Sequence, residues 1–136
     1  MGIFVDDLDL IKMAIGLFWT LLFLQSALDK VFDWKGNIGW LQEHFSKTFL
    51  KGLVTPMLAS LALVEFVAGV ICAVGIVQVL LFGSTYWLAI GMVLCFVSLL
   101  MLFFGQRIAK DYDGAKTIAI YFGVALLSCL YLMPPS

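Results

Sequence analysis

Apolar residues in this 136-residue chain gather into long runs divided by short polar clusters. Four runs, at about 10–32, 53–82, 86–105 and 115–133, approach the roughly 20 residues that a helix needs to cross a hydrocarbon core about 30 Å thick. The first holds an unbroken apolar stretch from Met13, apart from Gly16 and Thr20, ahead of Gln25, and the last is purest from Thr117. Strict alternation is absent, and isolated strands leave backbone groups unpaired in lipid, so each run reads as a helix. Gly83, Ser84 and Thr85 form a short uncharged connection that forces the second and third spans into an antiparallel hairpin. Pro56 falls at the start of the second span, where its missing donor does no harm, and Pro134 and Pro135 end the fourth.

The connection after the first span is too long for a simple turn. Within 36–50, Ile38, Leu41, Phe45 and Phe49 recur at helical spacing, joined by Trp40, while Gln42, Glu43, Ser46 and Lys47 take the other side. This predicts an amphipathic helix along the membrane surface, as an anchor or as a lid over an opening at that end. Composition agrees with a membrane class. The chain is 63% hydrophobic and 12% charged, where soluble domains carry about 25% charged residues, and its mean hydropathy is +1.08. The expected architecture is therefore all-α: one membrane-embedded domain over 1–136, with four transmembrane helices in an antiparallel bundle and an interfacial helix between the first two.

Charge sets the orientation. Of the eight Lys and Arg residues, only Lys12 lies at the end away from the long connection. Lys30, Lys35, Lys47, Lys51, Arg107, Lys110 and Lys116 lie in or beside the connections after the first and third spans. The positive-inside rule places 33–52 and 106–116 in the cytoplasm and both termini outside, as in a prokaryotic inner membrane. Trp87, Tyr86 and Tyr131 fit an outer aromatic belt, and Trp34 and Trp40 an inner one. The first span opens on Asp6, Asp7 and Asp9 and carries Gln25, Asp29 and Lys30 where a cleavage site would stand, so it reads as a retained helix. Small residues mark close helix approach: Ala62, Gly69, Cys72 and Ala73 in the second span, Gly91, Cys95 and Ser98 in the third, Ala119 and Gly123 in the fourth. Cys72, Cys95 and Cys129 form no CxxC pair and read as small packing residues.

One residue breaks the apolar pattern. Glu65 lies in the middle of the second span, where a charge costs about 2.5–3.5 kcal/mol on insertion scales. A partner in the bundle, or a proton of its own, must offset it. Lys30 and Arg107 arrive from the ends of two other spans on the side where the second span begins, about 15 Å from Glu65 at 1.5 Å per residue. Gln25, Asp29 and Asp33 share one face of the first helix at i, i+4, i+8. Glu65, Lys30, Arg107, Gln25 and Asp29 are thus the candidate ligand-binding residues, in a polar funnel that doubles equally well as a network fixing helix register. No metal site is readable around the single histidine, His44, which reads as a surface residue. No phosphate loop, haem motif or catalytic triad appears, and the net charge of −1 with no basic patch argues against nucleic acid.

The segment Phe23-Leu24-Gln25-Ser26-Ala27-Leu28-Asp29-Lys30-Val31-Phe32-Asp33 resembles the first-helix signature of the DoxX family of small four-helix membrane proteins. That signature is an apolar run, a small Ser-Gly pair, a Lys three residues on and an Asp three after that. Lys30 and Asp33 match, and Ala27 stands where Gly is usual. Glu65, Gly69 and Gly75 resemble the family's Glu-x3-Gly-x5-Gly pattern, and Gln106-Arg107-Ile108-Ala109-Lys110-Asp111-Tyr112 its segment after the third helix. The resemblance implies a link to quinone-dependent sulfur oxidation, because related DoxD proteins are similar to a thiosulfate:quinone oxidoreductase subunit. Other relatives are described as members of membrane oxidoreductase complexes or as assembly factors. The expected function is a subunit without flavin or haem that binds a quinone-like lipophilic ligand near Glu65, with a membrane partner or the quinone carrying the redox chemistry. The alternative is a non-catalytic membrane interaction protein, an assembly factor or accessory subunit. Partners on either reading are the lipid bilayer and a membrane protein or further copies of the chain. A transporter is disfavoured by the small lumen of four helices and the lack of an inverted repeat.

Overall fold

The structure, a computed structural model, describes residues 7–132. Five α-helices follow one another: α1 (Asp7–Phe32), α2 (Trp34–His44), α3 (Val54–Phe82), α4 (Tyr86–Ile108) and α5 (Tyr112–Leu132). A 3-10 turn, Phe49–Leu53, leads into α3. The described residues contain no strand, and α1, α3, α4 and α5 are each long and apolar enough to cross a membrane. Asp6, Met133, Pro134 and Pro135, assigned above to the edges of the first and fourth spans, lie outside the described residues.

The long helices pack in chain order, α1 on α3, α3 on α4 and α4 on α5. Close approach is set by glycine. A Cβ at Gly69 would lie 2.6 Å from Leu24 of α1, and one at Gly75 would lie 2.6 Å from the Leu88 backbone of α4. Gly91 gives the same room to Cys72, whose sulfur sits 3.9 Å from that of Cys95 across the α3–α4 contact. With lipid outside as apolar as the core, such close contact and internal hydrogen bonds replace the hydrophobic effect as the source of helix association. Trp19 of α1 donates to Ser128 of α5 at 3.2 Å and closes the bundle. The expectation for the fourth span needs correction. Ala119 and Gly123 are exposed, and Ala115, Ala125 and Ser128 face the core instead. Both sets are small and helically spaced, and only packing distinguishes them.

The helix ends build the site. α3 stops at Gly83, whose φ of +67° suits a residue without a Cβ. Gln78 then accepts from the Trp87 amide at 2.9 Å and caps the start of α4. α4 runs three residues beyond the expected 105, because Gln106 and Arg107 remain helical until a Schellman turn. There the Asp111 amide donates to the Gln106 carbonyl at 2.8 Å and the Lys110 amide to that of Arg107 at 3.2 Å. Lys110 takes the left-handed position, φ 60°, that glycine usually fills. Asp111 immediately caps α5, accepting from the Gly114 amide at 3.0 Å, so α5 begins ahead of the expected 115.

α1 passes into α2 with hardly a break. The Asn37 side-chain amide lies 2.9 Å from the carbonyl of Asp33, 3.3 Å from that of Asp29 and 3.4 Å from that of Lys30, and so serves the orphan acceptors at the end of α1. α2 lays Ile38, Leu41 and Phe45 on Val54 and Met57 of α3 and on Ile108 and Ala109 at the end of α4. Phe49, expected on that face, is exposed: α2 ends at His44, and the 3-10 turn buries Leu50 in its place.

Candidate functional site

Glu65 is fully buried, and it has a counter-ion. On α3 it occupies the same face as Leu58, Ala62, Gly69 and Cys72, all turned into the bundle. The Gly69–Leu24 contact fixes how α1 sits against that face and brings Lys30 alongside. Lys30 Nζ lies 3.0 Å from Glu65 Oε1 and 3.3 Å from Oε2, and it donates to Ser26 Oγ at 2.7 Å. Only the Oε2 contact has hydrogen-bond alignment, so Oε1 is held by charge and keeps its lone pairs free of donors. Ser26 and Lys30, one turn apart, thus form with Glu65 a three-membered polar cluster across α1 and α3.

The other residues proposed for the site lie elsewhere. Gln25 and Asp29 are exposed on α1, because 100° per residue turns them away from the face that carries Ser26 and Lys30. Arg107 is exposed at the end of α4, its guanidinium 5.0 Å from the centre of the Tyr112 ring. Of the two cations offered to Glu65, the structure brings it Lys30. All seven cations of the two polar connections lie at the end of the bundle where α1 and α4 finish and α3 and α5 begin.

Beside the ion pair, at that same end, opens a cavity of about 640 Å³. α2 and the 3-10 turn wall it on one side, α3 and α4 on the other. Its lining is largely apolar, including Leu41, Phe45, Met57, Leu61, Met101 and Leu102. Lys30 and Asn37 contribute polar groups at one part of the wall, and His44, Gln106 and Asp111 at another. Glu65 is not in the lining. Its carboxylate meets Lys30, which does line the cavity. Size and lining match small-molecule sites, which are mostly apolar with a few placed polar groups.

Lys30 is the one lining residue among the candidates drawn from the sequence; His44, Gln106 and Asp111 are among the polar lining residues that were not. His44, taken there for a surface residue, is half-buried, stacked on Trp40 with ring centres 4.6 Å apart and 3.9 Å from Asp111 Oδ2. Gln106 presents a buried Oε1 with no hydrogen-bond donor. The signal for Gln106 and Asp111 was their place in the segment 106–112 that resembles the DoxX pattern. Nothing in the sequence marked His44, since its position depends on α2 folding back over α4. Comparison with family models, curated proteins and solved structures returned no match, so the DoxX resemblance stands on its motifs.

Proposed function

We propose that this chain is a DoxX-like membrane subunit that holds a quinone or a similar lipid-soluble, oxygen-bearing ligand in the cavity under α2. The observation that carries the reading is the ammonium of Lys30 on the wall of a mostly apolar cavity of about 640 Å³. An apolar cavity at the end of a membrane bundle suits a lipophilic body, and a fixed cation suits a carbonyl or anionic oxygen on it. Glu65 pairs with Lys30 and, with Ser26, aims it; these are positioning roles. Gln106 offers a second polar contact, as an acceptor for a hydroxyl on the ligand. α2 serves as the lid rather than as a plain anchor, since Trp40, Leu41, His44 and Phe45 are themselves part of the wall. The excess of cations at this end orients it to the cytoplasm by the positive-inside rule, with an inner membrane as the setting. Electron transfer, in this reading, belongs to the quinone and a membrane partner.

The test uses decylubiquinone, whose binding is read from quenching of Trp40 fluorescence in purified, detergent-solubilised protein. Lys30→Ala and Glu65→Gln are each expected to weaken binding at least about tenfold, the cost of one charge-assisted hydrogen bond. Unchanged affinity in both folded variants overturns the proposal. It favours the interaction-protein alternative if one stoichiometric membrane partner also co-purifies.

A further inference from the structure

Among the described residues Gln25 has no hydrogen-bond partner, and it is exposed on the outward face of α1. Its depth makes this costly. Leu24, its neighbour, packs on Gly69, near the midpoint of the 29-residue α3. The carboxamide therefore lies well inside the bundle's long axis, at a level where lipid supplies neither donor nor acceptor. A glutamine side chain lacks the long stem by which Lys and Arg reach the interface from such positions. Asp29, one turn along the same exposed face, makes no hydrogen bond to it among the described residues, so the amide is open to a partner outside the chain.

The face around it indicates what. Phe18, Leu21, Gln25, Leu28 and Phe32 follow one another at alternating steps of three and four residues, and all five are exposed. That spacing is the one the seam of a two-stranded coiled coil uses, and one polar residue among apolar ones is a device that fixes register and oligomeric state. We infer that α1 pairs with α1 of a second copy of this chain, in parallel and in register, around Gln25. The choice of a second copy rests on complementarity. Copies of one chain inserted in the same orientation hold α1 parallel about a twofold axis normal to the membrane, so position 25 meets position 25. A carboxamide carries both donor and acceptor, so two of them satisfy each other. Asp29 falls beside the seam rather than on it, and the pairing brings no two carboxylates face to face. This inference is independent of any ligand under α2.

The experiment measures energy transfer between donor- and acceptor-labelled copies of the full chain in phosphatidylcholine vesicles, over a range of protein-to-lipid ratios. The wild type is expected to self-associate. Gln25→Leu, which keeps the seam apolar and leaves the inward packing untouched, is expected to raise the dimer dissociation constant about 5- to 30-fold, the range for one interhelical side-chain hydrogen bond in model peptides. Gln25→Asn is expected to restore part of the loss. In native membranes, Leu21→Cys and Leu28→Cys are expected to cross-link to a second copy, with Val93→Cys on α4 as the negative control. A wild type that stays monomeric throughout, a Gln25→Leu dissociation constant equal to wild type, or cross-linking of Leu21→Cys to a different protein overturns the inference.

Discussion

Replacing Lys30 by Met, with the cavity empty, tests what the buried ion pair does for the fold. At 3.0 Å and an effective dielectric near 20, the Coulomb attraction is about 5 kcal/mol. Removing the two ions from water costs several kcal/mol each, so the pair as a whole adds little net stability. The single replacement is another matter. Lys30→Met leaves a fully buried carboxylate without its counter-ion and is expected to cost about 3–5 kcal/mol. Glu65→Met leaves Lys30, whose side chain is 17% exposed and flexible enough to swing towards water, so about 1–2 kcal/mol is expected there. The double replacement removes both desolvation costs and fills the space with thioether side chains, and is expected to fall within about 1 kcal/mol of wild type. Unfolding by SDS titration in mixed micelles, followed by helicity, gives all four corners of the cycle. A Lys30→Met cost below about 1 kcal/mol, or a double variant as unstable as the sum of the singles, refutes the claim that the two side chains depend on each other.

Three further outcomes are checked by the same unfolding assay. Lys110→Gly is expected to stabilise by about 0.5–1 kcal/mol, because it removes about 1–2 kcal/mol of left-handed strain against the 0.5–1 kcal/mol that glycine loses in chain entropy. Gly75→Ala is expected to destabilise by about 1–3 kcal/mol, since its Cβ would meet the Leu88 backbone, whereas Gly123→Ala, with nothing within 4 Å, is expected to be neutral or slightly stabilising. Phe45→Ala is expected to cost about 3–5 kcal/mol, as for a buried aromatic, and to raise the dissociation rate of decylubiquinone in stopped-flow quenching, because Phe45 ties the lid to α3 and α4.

The four spans and the hairpin at Gly83 were legible because length and hydropathy are one-dimensional properties. Rotation of each helix about its axis was not. Glu65 stood out as an anomaly, and Lys30 and Arg107 were both at the correct end. Choosing between them required knowing that Gly69 admits Leu24 and so turns Lys30 inward, while the end of α4 leaves Arg107 over Tyr112. A soluble bundle announces its inward face by its apolar stripe. Here the lipid face is as apolar as the core, which is why Ala119 and Gly123 were mistaken for packing residues and Ala115, Ala125 and Ser128 passed over. The same blindness hid His44 and Gln106, whose place in the cavity wall depends on α2 turning back across α4.

In such a chain the polar residues carry the information that apolar periodicity has lost, and their environments divide them by role. Lys30, Ser26 and Glu65 pair with one another across α1 and α3, leaving Glu65 Oε1 held by charge alone. Asn37 and Asp111 satisfy helix ends, and through them hold α2 and the α4–α5 turn in place. Among the groups the fold does not satisfy, beside the buried hydroxyls of Thr20 and Ser98, are the buried carbonyl of Gln106 next to the cavity and the exposed carboxamide of Gln25 on the outer face of α1. A buried or lipid-facing amide without a partner is a standing cost. On the readings proposed above, a ligand hydroxyl relieves the first and a second copy of the chain the second. The two deficits lie on different surfaces, so a Gln106→Leu variant that loses ligand while still dimerising, and a Gln25→Leu variant that does the reverse, separate the two roles in one pair of measurements.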